Sequence, residues 1–421
     1  MHDQIGPLGI LAGGGQLPNE VAEAVAATGR RVHIVGLEGE AEGLIEAHPH
    51  AWVNWGGIGA MVRSFQDAGC REIVILGSVR RPNLRKIRPD LGFFLALPGL
   101  LKMLKGGDDS VLRRVVAMFE ARGLSVRGVH EVAPGLVAPE GPLASRRPDP
   151  IAERAIALGR HVLDIVGPFD LGQAVVAHAG GIVEIEGAEG TDAMLERLAS
   201  TGHPDALELG PLVLVKAPKP GQEIRVDMPA IGPRTVQLAK AAGLAGLALE
   251  AGSVLVADRL RTMSDADAAG LFIVGSKRSG APAIDAPRRL QFVAAGSVKP
   301  SPMLIDDAAT GAAALDVLKP DWGPGAVAVS RSYILAIEKP ATLVRAVERA
   351  RLNKPWGMSL LKRGVGVLVV GREVDMPLGL VEQVAKQGFA ALAFVDSTWA
   401  EGVVEEADEL GIAVLVPGAE A

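Results

Sequence analysis

Aromatic side chains make up only 4% of the sequence, so a surface that stacks successive nucleobases on rings has little to be built from. Cysteine is scarcer still. Cys70 stands alone, which excludes an internal disulfide framework and any zinc cluster made of cysteines, and fits a reducing compartment. No uncharged apolar run reaches the ~18 residues that a membrane-spanning helix needs. The opening "MHDQIGPLGILAGGG" lacks a basic start and runs straight into a strand-like segment, so no signal peptide is expected. Excess positive charge is also missing. The net charge is −6, so nucleic acid is not an expected partner, although local basic clusters could hold phosphates. The expectation is a soluble, cytoplasmic protein.

What the chain has in quantity is Ala, Val, Leu and Gly, with 48% hydrophobic residues over a length of 421, too long for one typical core. Over residues 1–130 short apolar strands alternate with helical stretches. "LGILAG", "RVHIVGL", "EIVILGSV" and "SVRGVHEV" read as strands. "PNEVAEAVAATG", "AMVRSFQDAG" and "SVLRRVVAMFEARG" read as helices, the first with Pro18 in its opening turn and Gly29 as its stop. This α/β alternation predicts a mostly parallel, doubly wound sheet that binds ligand at the carboxyl ends of its strands. The predicted organisation is an N-terminal domain over 1–137, a second α/β domain over 151–275, a linker over 276–300 and a third domain over 301–421.

The third domain repeats the second. "LDIVGPFDLGQAVVA" (163–177) aligns without gaps on "LDVLKPDWGPGAVAV" (315–329), an offset of 152. The same offset pairs "IVEIE" (182–186) with "ILAIE" (334–338), and Glu196-Arg197 with Glu348-Arg349. "VDMP" recurs at an offset of 148, each time after a β-like run and before a helix-like one. Conserved order and spacing over more than 100 residues indicate duplication of a domain rather than a solenoid.

Several motifs carry chemistry. In "ILAGGGQLP", Gly13, Gly14 and Gly15, followed by Gln16 and Leu17, would let a phosphate approach a helix N-terminus; a plain tight turn is the other reading. Arg80 and Arg81 follow the third strand and could clamp a diphosphate, or simply be solvated. Asp108 and Asp109 open a helix, where one acid would suffice as a cap and the second leaves a metal or hydroxyl role open. "LGFFLALPGLLKMLKGG" (91–107) could receive acyl chains or rest on an anionic bilayer, or be a buried helix pair broken by Pro98. The densest polar cluster joins Glu189 and Asp192 with Lys216, Lys219, Gln222, Arg225 and Asp227. Cations to neutralise phosphoryl oxygens and carboxylates to hold a metal or a water are what diphosphate hydrolysis requires. A charged solvent-facing loop is the alternative.

"GILAGGGQLP", "GGDDSVLRR", "FDLGQAVV", "EGTDAMLER" and "KPGQEIRVDMPAIGP" together resemble the LpxI family of UDP-2,3-diacylglucosamine pyrophosphatases of lipid A synthesis, over about residues 5–275. The resemblance implies an N-terminal Rossmann-like domain and a C-terminal α/β domain with the lipid product held between them. It implies hydrolysis of UDP-2,3-diacylglucosamine to UMP and 2,3-diacylglucosamine 1-phosphate (lipid X), supported by Mg²⁺. The family's essential aspartate falls on Asp227. From charge and position within the matching motifs, Asp192, Lys216, Lys219 and Arg225 join it as catalytic candidates, with Asp227 and Asp192 as metal ligands. Gly13, Gly14, Gly15, Gln16, Leu17, Arg80, Arg81, Asp108, Asp109, Gln173, Thr191 and Gln222 are substrate-binding candidates. Peripheral contact with the inner membrane, and a monomer or a homodimer, are expected. A hydrolase of another UDP-sugar, or a lipid- or nucleotide-binding protein without turnover, are the alternatives.

Members of this kind usually end near "LFIVG", whereas this chain adds about 146 residues. In the added copy "EGTD" becomes "ATLV", Gln173 falls opposite Gly325, and "KAPKPGQEIRVDMP" becomes "KRGVGVLVVGREVDMP". That pairing keeps a lysine (Lys362) and Asp375 but loses Lys219 and Gln222. The second copy is expected to fold and to be catalytically degenerate. It would replace a contact made by dimerisation in shorter relatives, or present a surface to the membrane or a pathway enzyme.

Overall fold

A computed structural model describes residues 6–79, 88–90, 92–93, 108–169, 171–187, 189–201, 210–278, 290–323, 325–339, 342–352, 366–396 and 402–418. Contacts divide the chain into two units. One holds residues 1–147, 221–237 and 249–278; the other holds 148–220, 238–248 and 279–421.

The first unit is built on a five-stranded sheet of β1 (Leu8–Ala12), β2 (Val32–Leu37), β3 (His50–Val53), β4 (Glu72–Leu76) and β5 (Ser125–Val126), in the order β3-β2-β1-β4-β5 with every pairing parallel. Its central strand is buried throughout, the pattern of a sheet covered on both faces. On one face lies α1 (Leu17–Ala26), which buries Val21, Ala22 and Val25. On the other lie α2 (Ile58–Asp67) and α3 (Asp108–Glu120). Helix α2 buries Ile58, Met61, Val62 and Phe65, the i, i+3, i+4, i+7 stripe of a helix with one core-facing side. Gly29, at φ +86°, lies just past α1, the left-handed stop that its sequence predicts. The expected doubly wound sheet is therefore present.

Two local readings change. "SVRGVHEV" is a strand for two residues only and then turns into the short helix Val129–Val132, where the Gly128 N–H donates to the Glu131 carboxylate at 2.7 Å. "HAWV", unassigned in the sequence, is the edge strand β3. The lone cysteine, Cys70, is buried, and burial pushes its thiol up to about 11, so it packs rather than reacts. Among the described residues no helix is long and apolar enough to cross a membrane.

The second sheet contains β6 (Gly141–Pro142), β7 (Ala174–His178), β8 (Gly181–Ile185), β9 (Val213–Lys216), β11 (Gly246–Glu250) and β13 (Phe272–Ser276); the short strands β10 (Ala230–Ile231) and β12 (Leu255–Val256) pair separately. The third contains β14 (Phe292–Ala294), β15 (Ala326–Ser330), β16 (Tyr333–Glu338), β17 (Val367–Val370), β18 (Ala391–Phe394) and β19 (Ala413–Pro417). Their orders, β8-β7-β9-β11-β13-β6 and β16-β15-β17-β18-β19-β14, correspond strand for strand. Strand β14 lies inside the stretch expected as a linker and pairs antiparallel with β19.

Side-chain detail repeats as well. Helix α4 (Pro150–Val166) begins at a proline, as does α8 (Pro302–Trp322), 152 residues on. Gly159 of α4 sits so close to its sheet that a Cβ there would meet Val215 Cγ2 at 2.6 Å. At Gly311 of α8 the equivalent atom would meet Val369 Cγ2 at 2.6 Å. The same helix-to-sheet approach, with glycine as its requirement, is used twice.

Candidate active site

In the first unit the Gly turn is drawn tightly onto the loop after β4. Gly13 N–H donates to Leu76 O at 2.9 Å and Gly14 N–H to Ser78 O at 2.6 Å, while Ser78 N–H returns a bond to Gly14 O. A Cβ on Gly13 would stand 2.6 Å from Ser78 O, and one on Gly77 2.7 Å from the Gly13 carbonyl carbon. These glycines are thus explained by backbone approach. Two of the N–H groups offered by the sequence for phosphate hold the turn instead, and Gly15, at φ +91°, leads the chain into α1.

Beside this turn is a cavity of about 630 Å³, lined by Gly14, Gly15, Gln16 and Leu17 on one side and by the run Ile224–Met228 on another. The Asp-Met-Pro segment is anchored there by its neighbours. Val226 packs on the core over α2 and α3, and Met228 on the core over α1. The "β-like run" before it is a set of turns and not a strand. Asp227 is held by Gln222, whose Nε2 donates to Oδ2 at 2.6 Å and to the Asp227 carbonyl at 2.8 Å. A fixed carboxylate, a helix N-terminus and a cavity of ligand size are thereby brought together.

Arg225 is placed differently from its sequence role as a phosphate cation. Its Nε and Nη2 make a two-pronged contact with Glu223 at 2.7 Å each, and its Nη1 reaches Glu120 at 2.9 Å. The hydrogen bonds to Glu223 are the main reason that its guanidinium is held even more firmly charged than usual. Its visible work is to fasten the loop next to Asp227.

The cavity wall also carries Glu20, Arg234, Asp258 and Arg261, which the sequence reading missed. Arg234 follows Pro233 at the start of α6 (Pro233–Ala241), and Arg261 lies in the first turn of α7 (Arg259–Ala269). Asp258 adopts a left-handed backbone at φ 41°, uncommon for a non-glycine residue, and its N–H donates to Glu20 at 2.9 Å. Burial pushes the Glu20 carboxyl above its ordinary value, and the Asp258 N–H only partly offsets this. A basic "DRLR" at a helix start was the available signal for Arg261.

Gln173, Thr191, Asp192, Lys216 and Lys219 belong to the second unit. Lys216, at the end of β9, is 6% exposed, and its Nζ donates to Thr191 Oγ1 at 2.6 Å. Thr191 in turn donates to Glu186 Oε1 at 2.9 Å, and the Gln173 N–H to Glu186 Oε2 at 2.5 Å. Thr191 and Asp192 open α5 (Thr191–Thr201), where Asp192 is half-buried, and Lys219 is half-buried beyond β9. Arg80 and Arg81 lie outside the described residues, as does most of 91–107. Helix α3 does begin at Asp108, but the side chains of Asp108 and Asp109 lie outside them too.

The second copy has a corresponding but altered site. Ala174 pairs with Lys216 in one ladder and Ala326 with Val370 in the other, so Val370 stands where Lys216 does. This corrects the sequence pairing that kept a lysine there; Lys362 lies outside the described residues. Glu338 repeats Glu186, accepting from Thr342 Oγ1 at 2.6 Å as Glu186 accepts from Thr191. Asp375 lines a separate hollow of about 490 Å³ with Arg345 and Thr342.

The family model described as the LpxI N-terminal domain matches residues 7–136, and that described as the LpxI C-terminal domain matches 139–274. A protein of Caulobacter vibrioides named UDP-2,3-diacylglucosamine pyrophosphatase LpxI is 39% identical over 274 residues, 64% of this chain and 96% of that relative. The chain therefore belongs to the LpxI family.

Proposed function

We propose that this protein hydrolyses UDP-2,3-diacylglucosamine to UMP and 2,3-diacylglucosamine 1-phosphate, with Mg²⁺, in the lipid A pathway. The observation that carries the reading is the cavity of the first unit, where Asp227 is fixed by Gln222 beside the Gly turn and the start of α1. The family membership and the name of the Caulobacter relative support the choice of substrate. Leu17, Val226, Met228 and Leu255 give the cavity an apolar wall suited to the lipid-bearing sugar, and Arg234 and Arg261 give it positive charge suited to the diphosphate.

In the reaction, water adds to a phosphorus atom, the P–O–P bridge breaks, and two phosphate monoesters leave. Asp227 is held in place by Gln222, and serves either to orient that water or to hold the metal. Among the described residues no three metal-binding side chains cluster. Mg²⁺ needs only one or two carboxylates when phosphate oxygens and water complete its shell, so Asp227 fits as its ligand. When bound, the ion supplies neutralisation of phosphoryl charge.

The test is UMP release by the full chain from diacylated and non-acylated UDP-glucosamine, with and without chelator. Mg²⁺-dependent release from the diacylated substrate alone supports the proposal. Equal turnover of both substrates would point to another UDP-sugar, and tight binding without release to a non-catalytic protein.

A further inference from the structure

Within the second unit, the two copies meet through equivalent parts. Helix α4 packs against α8, its own counterpart 152 residues away, and α8 also contacts β8, the edge strand of the first copy. Arg197 of α5 and Arg349 of α9 (Leu343–Leu352), again 152 apart, also converge on a single carboxylate. Arg197 reaches Glu184 and Glu189 at 3.0 Å each. Arg349 reaches Glu338 of its own copy and Glu189 of the other. Lys339, beside the edge strand β16, donates to Ile182 O in β8 at 3.1 Å. The groups are buried enough for these contacts to matter: Arg349 and Glu189 are 11% and 12% exposed. Burial pushes the Glu189 carboxyl up, but Arg349 and Arg197 outweigh it and hold the group below its ordinary value.

A helix that packs on its own counterpart, with equivalent arginines meeting at one point, is the pattern that a two-fold axis imposes on an isologous dimer. We infer that the face formed by α4, β8 and α5 is a self-association surface, and that the added copy occupies it as a tethered second subunit. The partner this face fits is a second copy of the same domain. In this chain the partner is supplied in cis: Val370 replaces Lys216 and, by the sequence offset, Ala336 and Ala341 replace Glu184 and Glu189, whereas Arg349, the counterpart of Arg197, is kept and meets the remaining Glu189.

The test is the mass in solution of the full chain and of residues 1–278, a length spanning both family models. The inference predicts a full chain of single mass and a 1–278 protein of twice its own mass, reverting to single mass with Glu189→Arg. A 1–278 protein that is folded by circular dichroism yet monomeric at the same concentration overturns it, as does a dimeric full chain. Should 1–278 fail to fold, a protease site placed between residues 278 and 290 of the full chain decides. After cleavage the fragments should co-elute at micromolar concentration and separate when Arg349→Glu is added. Fragments that elute separately without that substitution contradict the inference.

Discussion

The two Asp-Met-Pro turns share their words but not their surroundings. Asp227 follows the last residue of its strand by eleven positions, Asp375 by five. The longer connection carries Lys219, Gln222 and Arg225, and its end belongs to the first unit, where Val226 and Met228 pack on the cores of the parallel sheet. The shorter one keeps its turn at home: Met376 packs against the core of the third sheet itself. Six residues of loop therefore separate a carboxylate delivered to a Gly turn from one that remains beside its own strands. Loss of loop length accounts for the loss of Lys219 and of Gln222, which holds Asp227, whereas Arg225 falls opposite Glu373.

The comparison can be pressed hardest at Lys216. An ammonium 6% exposed is costly to keep, and the second copy demonstrates that the same ladder position works with valine. We propose that Lys216 is retained for chemistry and not for folding. Lys216→Val should lower kcat at least a hundredfold, about 2.7 kcal/mol of barrier at ~1.36 kcal/mol per tenfold, while thermal unfolding shifts little. A large drop in Tm with unchanged kcat would reverse that assignment.

Arg349 is the next point of pressure, because it joins what Lys216 distinguishes. Arg349→Ala leaves Glu189 with Arg197 and Glu338 with Thr342, so its cost falls below that of stranding a buried charge, at about 2 kcal/mol near neutral pH. Glu189 is held below its ordinary value, so its contribution is present above the unfolded pKa of about 4.3 and lost as pH falls through the lower, folded one. The stability gap between wild type and Arg349→Ala should thus close as pH drops below about 4 in urea titrations. A gap that widens in acid would show that the pair is not what holds Glu189 ionised.

The smallest effect is the one that should be equal in both copies. Gly159→Ala and Gly311→Ala each push a Cβ to 2.6 Å from a valine Cγ2, with that valine's own Cβ at 3.0 Å, so rotation of the side chain cannot relieve the clash. Each should destabilise by about 1–2 kcal/mol despite the helix propensity gained, measured as chemical denaturation midpoints. Unequal costs would mean that the copies differ in their scaffold as well as in their polar groups.

The alternation of the first 130 residues made the parallel sheet legible, since strands buried on both faces read as continuous apolar runs and helices as stripes. "SVRGVHEV" misled because Gly128 and Glu131 build a helix turn from residues of high strand propensity. The repeat of the second domain was expected from spacing and the two sheets share one strand order; the ladders then moved one equivalence, replacing a retained lysine by Val370. At the site, Asp227, Gln222 and the Gly turn were readable because each sits in a distinctive local string. Glu20, Arg234, Asp258 and Arg261 were not, since only the tertiary fold brings charges from α1, α6 and the start of α7 to one cavity. Arg225 was readable as a cation, but its capture by Glu223 and Glu120 depends on a neighbour 105 positions away.

The most direct test of one working site and one remnant is a side-by-side assay of Asp227→Ala and Asp375→Ala in the full chain, following UMP release from UDP-2,3-diacylglucosamine at saturating Mg²⁺. The account predicts no detectable release from Asp227→Ala and wild-type release, within twofold, from Asp375→Ala. Comparable loss from both variants, each still folded, would contradict it.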